Sequence, residues 1–557
     1  MKPVGKYRGG KLFPASILIL ILLFCKHLLD VRDGITETGD AWLMSRYLVL
    51  SACVFAAVAG TGALFLYKKD WKLERIFLVC SLLFGLFYLC VLPPLSAPDE
   101  SSHYISAYRL SNRLMGKQSV YEDGHVLIRG RDLLAEDLMG VDQKYKTGEA
   151  VEPLVLGHLL DESTYRTIRR IGFFGGDDRT EALDYQGRPL KPNKGWEEGK
   201  TALSNLIPVN TTPLAYLPQA VGITLGRLMG MTCVGILFAG RLFNLLFYVL
   251  TAGLAIRRIP FGKEVMFGTA LLPMTLHLTG SMSYDVMILA LAFYFTAACL
   301  DLAYKKERVS PFDVAVLAAV MAVLGPCKMV YAVLMGLCLL IPVRKFGGWG
   351  RWAISAAVVA GAFVCSMVLV NAGTITVYAT QTESYVPWAQ EAGYSLTYLV
   401  HNPMKLIKLF YNTLIWQAQH YHLTMIGAYL GNIDEVLDVP YLIVCMLTLC
   451  LAALVFRKPG DQIMIGRGAR IWIWALCLGC AGAVCLSMLI AWTPFSSLVI
   501  SGVQGRYFLP VLPVFLLTIK NDWIVLTKNT DRTVLYLMCW ANGYALLRLF
   551  SIVSIRL

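Results

Sequence analysis

The 557-residue sequence predicts an all-α polytopic membrane protein with about thirteen transmembrane helices (eleven to fourteen) and a long extracytoplasmic loop after the third. Three observations carry this. Apolar residues make up 57% of the chain and charged residues only 16%, against ~25% charged in an average soluble domain. The apolar runs recur at near bilayer-spanning length, which makes the core a helix bundle in lipid. The third observation is where the charge lies. A formal net charge of +13 fits nucleic acid or an anionic membrane surface. Acids slightly outnumber bases between Pro93 and Thr212, however, and elsewhere the excess Lys and Arg sits in short loops between apolar runs. That is the positive-inside pattern of a multi-pass protein, not a nucleic-acid patch.

Taken in order, Lys2, Lys6, Arg8 and Lys11 place the N-terminus in the cytoplasm ahead of an apolar run at 12–29. A signal peptide begins alike, but no small-residue cleavage site follows, so the run reads as a retained signal-anchor helix. A helix at 47–66 returns to the basic stretch Lys68–Arg75, and one at 76–92 runs outward. Residues 93–212 form one extracytoplasmic segment, too long for a structureless loop in a compact fold. It opens with helical spacing at Ser101–Met115 and closes at Thr211–Gly230 with an interfacial helix lying in the membrane plane. Spans follow at 233–256, 265–280 and 286–304. Residues 312–343, broken by Gly325-Pro-Cys-Lys328, read as two short helices with Lys328 at the outer turn. A span at 352–372 leads to a second external region, 373–437, holding an amphipathic stretch (Pro403–Leu414) and a polar-aromatic run (Trp416–His422). Spans at 439–456, 471–493, 508–520 and 534–552 complete the count and put the C-terminus outside. The chain divides into an N-terminal hairpin (1–75), a transmembrane core with the long loop (76–380) and a C-terminal part with the second loop (381–557).

No Walker loop and no strand-following Gly-x-Gly-x-x-Gly is present, so nucleotide-driven chemistry is unsupported. All fifteen cysteines lie in or beside apolar runs and suggest no disulfide framework. Cys477-x-x-Cys480, inside a membrane run, is not read as a redox or zinc motif.

Candidate chemistry centres on Leu92–Arg109, where Asp99 and Glu100 stand at the point where a membrane helix meets water, with His103 one turn on. Acids so close to hydrocarbon are functional or paired. Arg241, Asp285, Lys328 and Arg506 come from four further external turns at the same depth. This collection suits transfer of a sugar carried on a polyprenyl phosphate. A carboxylate takes the proton from an acceptor hydroxyl as it attacks the anomeric carbon, and cations neutralise the departing phosphate. Arg offers a phosphate bidentate hydrogen bonds and Lys a point charge. The candidates are Asp99, Glu100 and Asp285 as catalytic acids, with His103, Arg241, Lys328, Gln504, Arg506 and Tyr507 binding substrate or phosphate. Plainer readings stand beside them. Asp99 fits a helix start with Ser96 as its cap, Asp285 a helix start, and Lys328 and Arg241 snorkelling to head groups. Asp99 and His103, four apart on a helix, fit a structural pair or one edge of a metal site. A divalent ion is therefore the one cofactor considered, and no metal ligand is assigned.

Pro93-Pro-(x)3-Pro98-Asp-Glu-x-x-His103 and Val503-Gln-Gly-Arg-Tyr-Phe-Leu-Pro510, with Tyr216-Leu-Pro218, Gly240-Arg241 and Ser283-Tyr-Asp285, resemble the bacterial polytopic membrane proteins of domain-of-unknown-function family 2142. The resemblance runs from about residue 76 over most of the chain. That family is similar to the GT-C glycosyltransferases, multi-helix enzymes whose acidic residues in the first external loop act on lipid-linked sugars. The resemblance implies a GT-C-like fold, inverting transfer, Asp99 or Glu100 as base and Asp285 as a second acid. Here the acidic pair follows a third helix instead of the first, which makes the first two helices an added hairpin. The expected function is transfer of a sugar from a polyprenyl-phosphate donor to a cell-envelope glycan or lipid acceptor, at the outer face of the bacterial cytoplasmic membrane. Its partners are the lipid-linked sugar, the acceptor and membrane lipids, with no nucleic acid. A transporter or flippase of lipid-linked saccharides, or a polymerase or ligase of whole glycans, is the alternative.

Overall fold

A computed structural model describes residues 9–38, 42–68, 70–92, 96–120, 124–129, 132, 201–204, 208–209, 211–231, 233–380, 384–431 and 434–555. Most of the long polar segment thus lies outside the described residues. Elsewhere helices dominate, because a backbone in lipid must satisfy its own amides and a helix does so within one segment. α1 (Gly9–Thr38), α2 (Trp42–Leu66) and α3 (Leu73–Val91) lead to α4 (Glu100–Leu114). β1 (Leu127–Arg129) and β2 (Thr201–Leu203) pair antiparallel and bring the two ends of the polar segment together. Then come α5 (Leu217–Leu228), α6 (Cys233–Arg258), α7 (Lys263–Ala270), α8 (Pro273–Thr279), α9 (Asp285–Tyr304) and α10 (Pro311–Cys327). A 3-10 run (Met329–Leu340) precedes α11 (Trp349–Thr380). The strands β3 (Ser384–Val386) and β4 (Glu391–Gly393), α12 (Leu396–His401), α13 (Pro403–Ile426), and the strands β5 (Tyr429–Leu430) and β6 (Asp434–Asp438) follow. α14 (Tyr441–Val455), α15 (Arg467–Trp492), a 3-10 turn (Gly505–Phe508), α16 (Leu512–Ile519) and α17 (Asp531–Ile555) close the chain.

Among the described residues, eight helices are long and apolar enough to cross a membrane: α1, α2, α3, α6, α9, α11, α15 and α17. Shorter apolar helices lie at Pro311–Cys327, Met329–Leu340 and Tyr441–Val455. The difference from about thirteen spans has local causes. The run at 265–280 breaks ahead of Pro273, which lacks an N–H for a continuing helix, and becomes α7 and α8. The run at 508–520 shrinks to α16, eight residues beginning with Pro at its first turn. Residues 312–343 divide at Lys328, whose backbone is extended (φ −160°, ψ 101°). The amphipathic stretch at 403–414 instead grows. α13 continues through the polar-aromatic run to Ile426 and ends at Gly427, left-handed at φ 107°.

α6 packs against α3, α5 and α9, and α10 against α11, while α17 packs against α1, α2 and α14. Although last in sequence, α17 is deep in the bundle: 83% of its span is buried, against 17% of that in α1. The Ser16 and Tyr536 hydroxyls lie 2.6 Å apart, and Trp540 Nε1 donates to the Ser16 carbonyl at 2.9 Å. Tyr88 donates to Asn542 Oδ1 at 3.0 Å, and Asn542 Nδ2 donates at 3.0 Å to the Leu271 carbonyl beside the α7–α8 break. One apolar core runs from Leu20 to Phe550, drawing residues from all three divisions of the sequence. A smaller one, including Tyr394, Leu409, Val484 and Ile500, joins residues 394–409 to residues 484–503. The cysteines whose side chains are described are free thiols, and Cys477 and Cys480 are buried.

Candidate active site

The chain turns sharply at Asp99, which takes the left-handed conformation (φ 55°, ψ 20°) immediately before α4. A side-chain-bearing residue there costs roughly 1–3 kcal/mol, with Asp at the lower end. The turn gives two adjacent acids opposite surroundings: Asp99 is exposed and Glu100 fully buried. Glu100 Oε1 lies 3.0 Å from Arg241 Nε and accepts from the Met282 amide at 2.9 Å, and Oε2 accepts from the Ala97 amide at 3.2 Å. Arg241 Nη1 donates to the Leu92 carbonyl at 3.1 Å and the Leu89 carbonyl at 3.5 Å, groups that the end of α3 leaves over. One ion pair thereby ties α3, α4, α6 and the turn before α9. Glu100 and Arg241, both expected at the substrate, are instead 0% exposed and engaged with each other and with backbone.

A second group assembles above this pair. Asp285 opens α9, and its Oδ2 lies 3.5 Å from Arg506 Nε. Arg506 is 6% exposed and sits on the 3-10 turn Gly505–Phe508, which is pressed against α13. Gly505 N donates to Thr424 Oγ1 at 2.8 Å, and a Cβ at position 505 would overlap the Tyr421 carbonyl oxygen and the Met425 amide. The Gly-rich pattern around Arg506 suggests close approach to a helix or to substrate; the approach is to a helix. Lys328 Nζ stands 3.6 Å from the centre of the Tyr507 ring, and the Arg506 guanidinium carbon stands 5.3 Å from it. Tyr331 fixes this turn by donating to the Tyr507 carbonyl at 2.7 Å.

Burial disfavours the Arg506 cation, but Tyr507, Asp285 and Asp99 outweigh burial and raise its pKa, so the guanidinium stays charged. The same balance puts Asp99 within the field of Arg506. Arg506 Nε and Nη1 and Gln504 Oε1 are buried without a hydrogen-bond partner among the described residues. Buried polar atoms are normally paired, so these three stand out. Asp99, Asp285, Lys328, Arg506 and Tyr507 are thus linked by contact or field, and Gln504 lies in the same turn.

His103 joins from α4. Its Nδ1 is 2.8 Å from the Tyr216 hydroxyl and its ring meets Tyr284 edge-on at 5.1 Å, within an aromatic group adjoining Asp285. Among the described residues no three His, Cys, Asp or Glu side chains form a group able to hold a metal ion. Sequence reasoning passed over His277. On α8 it is 1% exposed, and both ring nitrogens are buried without a partner among the described residues. Nothing marks it in the sequence, where it is one polar residue inside an apolar run.

Residues 82–515 match a family described as "Predicted membrane protein (DUF2142)". No curated protein and no solved structure matches the chain.

Proposed function

We propose that this chain, which belongs to that family of predicted membrane proteins, is a membrane glycosyltransferase. It moves a sugar from a polyprenyl-phosphate donor to a cell-envelope glycan or lipid acceptor, at the outer face of the bacterial cytoplasmic membrane. The observation that carries the reading is Arg506: a buried, charged guanidinium whose Nε and Nη1 have no hydrogen-bond partner among the described residues, beside Asp285 and in the field of exposed Asp99. The Nη1 donor left over beside the Nε–Asp285 contact suits a phosphate oxyanion, and Lys328 adds a second positive charge across Tyr507.

In the reaction the acceptor hydroxyl oxygen bonds to the anomeric carbon from the side opposite the phosphate. The carbon–oxygen bond to phosphate breaks, and its electron pair leaves on the polyprenyl phosphate. The hydroxyl proton passes to Asp99, and configuration at the anomeric carbon inverts. A positioned base contributes ~10²–10⁴-fold. Preorganised cations in a water-poor site stabilise the leaving phosphate more than water does. Asp285 orients Arg506, while Glu100 and Arg241 are positioning residues that hold the lip. The basic N-terminal loops support a cytoplasmic N-terminus and, three spans on, an outer position for Asp99.

The test is purified protein in nanodiscs, given polyprenyl-phosphate sugars and acceptors and scored for released polyprenyl phosphate. Release is expected with the parent protein. It should fall by about 10²-fold or more in Asp99→Asn and in Arg506→Gln. No release with any donor, or equal release in the variants, overturns the reading.

The helix breaks at Pro273 and Lys328 favour a second reading, transport of the lipid-linked saccharide, since transporters place broken helices at their substrate sites. Movement of the intact lipid-linked sugar across a proteoliposome without bond cleavage selects it.

A further inference from the structure

At the far end of α4, away from Asp99, lies a cavity of about 530 Å³ whose lining includes Asn112, Lys117, Gln118, Arg129 and Arg227. Asn112 is thirteen residues beyond Asp99, which at 1.5 Å per helical residue puts the two about 20 Å apart. Arg227, in the last turn of α5, is 6% exposed. Its guanidinium is held rigidly. Nη1 donates to Ser111 Oγ and Asn112 Oδ1, each at 2.9 Å, and the group lies 4.4 Å over the Tyr108 ring. Nε is buried with no hydrogen-bond partner among the described residues.

The charges around Arg227 are not evenly spent. Arg129 is committed to Asp132, which accepts from Nε at 2.7 Å and Nη2 at 3.0 Å and from the Tyr108 hydroxyl at 2.6 Å. Lys117 is exposed and has no carboxylate partner among the described residues. The cavity therefore brings together a fixed Arg with one unpaired donor and an exposed Lys, with Asn112 and Gln118 as neutral polar neighbours.

We propose that this cavity is an oxyanion-binding subsite that takes a carboxylate or phosphate ester on the acceptor glycan, about 20 Å from the transfer site. An immobilised Arg loses little further entropy on binding an oxyanion at its unpaired donor, and Lys117 supplies charge attraction. The word "acceptor" rests on the glycosyltransferase reading; the anion site rests on Arg227 and Lys117 alone.

The test titrates the full-length protein in nanodiscs with three oligosaccharides of equal length: one bearing uronic acids, one bearing phosphate esters and one neutral. Calorimetry is expected to show acidic oligosaccharide binding at least about tenfold tighter than neutral, weakened by salt. Whichever acidic ligand binds tighter identifies the source of the oxyanion. Lys117→Glu, on an exposed side chain, should weaken acidic binding about tenfold or more without altering the melting temperature. Arg227→Lys should weaken it also. Equal binding of the neutral ligand, or acidic binding indifferent to Lys117→Glu, overturns the subsite. Donor cleavage without acceptor separates the two ideas: it should survive Lys117→Glu and vanish in Arg506→Gln. If no donor is cleaved by any form, the transferase reading fails, while the titration still decides the anion site.

Discussion

Asp99 and Glu100 are neighbours whose roles diverge through one backbone angle. A left-handed turn exposes the first and buries the second against Arg241. Opposite behaviour on neutralisation follows. Asp99→Asn is expected to keep the melting temperature and lose sugar transfer, measured as polyprenyl-phosphate release. Asp99→Gly, which suits φ 55°, should melt no lower than the parent protein and be equally inactive. Glu100→Gln leaves the buried Arg241 charge uncompensated and should cost roughly 3–5 kcal/mol, read as a lower melting temperature in detergent and a lower folded yield. Adding Arg241→Met should recover part of that loss, and a double-mutant cycle would report the coupling. The acidic pair was legible in the sequence because carboxylates at a membrane edge demand an explanation. Which carboxylate faces water was not, because the φ of Asp99 and the distant partner at 241 decide it.

At the scale of elements, breaks at Pro residues were visible where glycine and a charge accompanied them, as at Gly325-Pro-Cys-Lys328, and invisible at Pro273, which sits among apolar residues. The extension of α13 is not legible in the sequence because the polar-aromatic run Trp416–His422 is too polar for a span. Its helix is needed as the wall against which the Arg506 turn is pressed, through Gly505 and Thr424. Gly505→Ala tests that wall. The added methyl meets α13 backbone, which cannot rotate away, so the cost should reach or exceed the ~1–3 kcal/mol of ordinary overpacking. Because Arg506 is the next residue, donor cleavage should fall along with the melting temperature. Preserved cleavage would show that the turn tolerates displacement.

For the whole molecule, the apolar runs announced a bundle, yet the arrangement of helices was readable only through an inverse signal. Among the eight spans, the least apolar, in α17, is the most buried (83%), and the most apolar, in α11, the least (11%). Lipid is as apolar as leucine, so a helix facing lipid must be apolar all round, whereas one facing other helices carries Asn542, Tyr536 and Trp540 at its contacts. The family match at 82–515 leaves α1, α2 and α17 outside, and these three pack on one another. That arrangement yields a last prediction. Deleting residues 1–67 removes, among the described residues, hydrogen-bond partners of Tyr536, Trp540 and Ser551. Inside a membrane such bonds average ~0.6 kcal/mol, and the apolar face they leave behind is accepted by lipid, so the loss should total only about 2 kcal/mol. The shortened protein should melt slightly lower in nanodiscs and still cleave donor, because Asp99, Asp285, Lys328 and Arg506 all lie within the matched stretch. A collapse of folded yield comparable to that of Glu100→Gln would instead make the first two helices part of the frame that holds the site together.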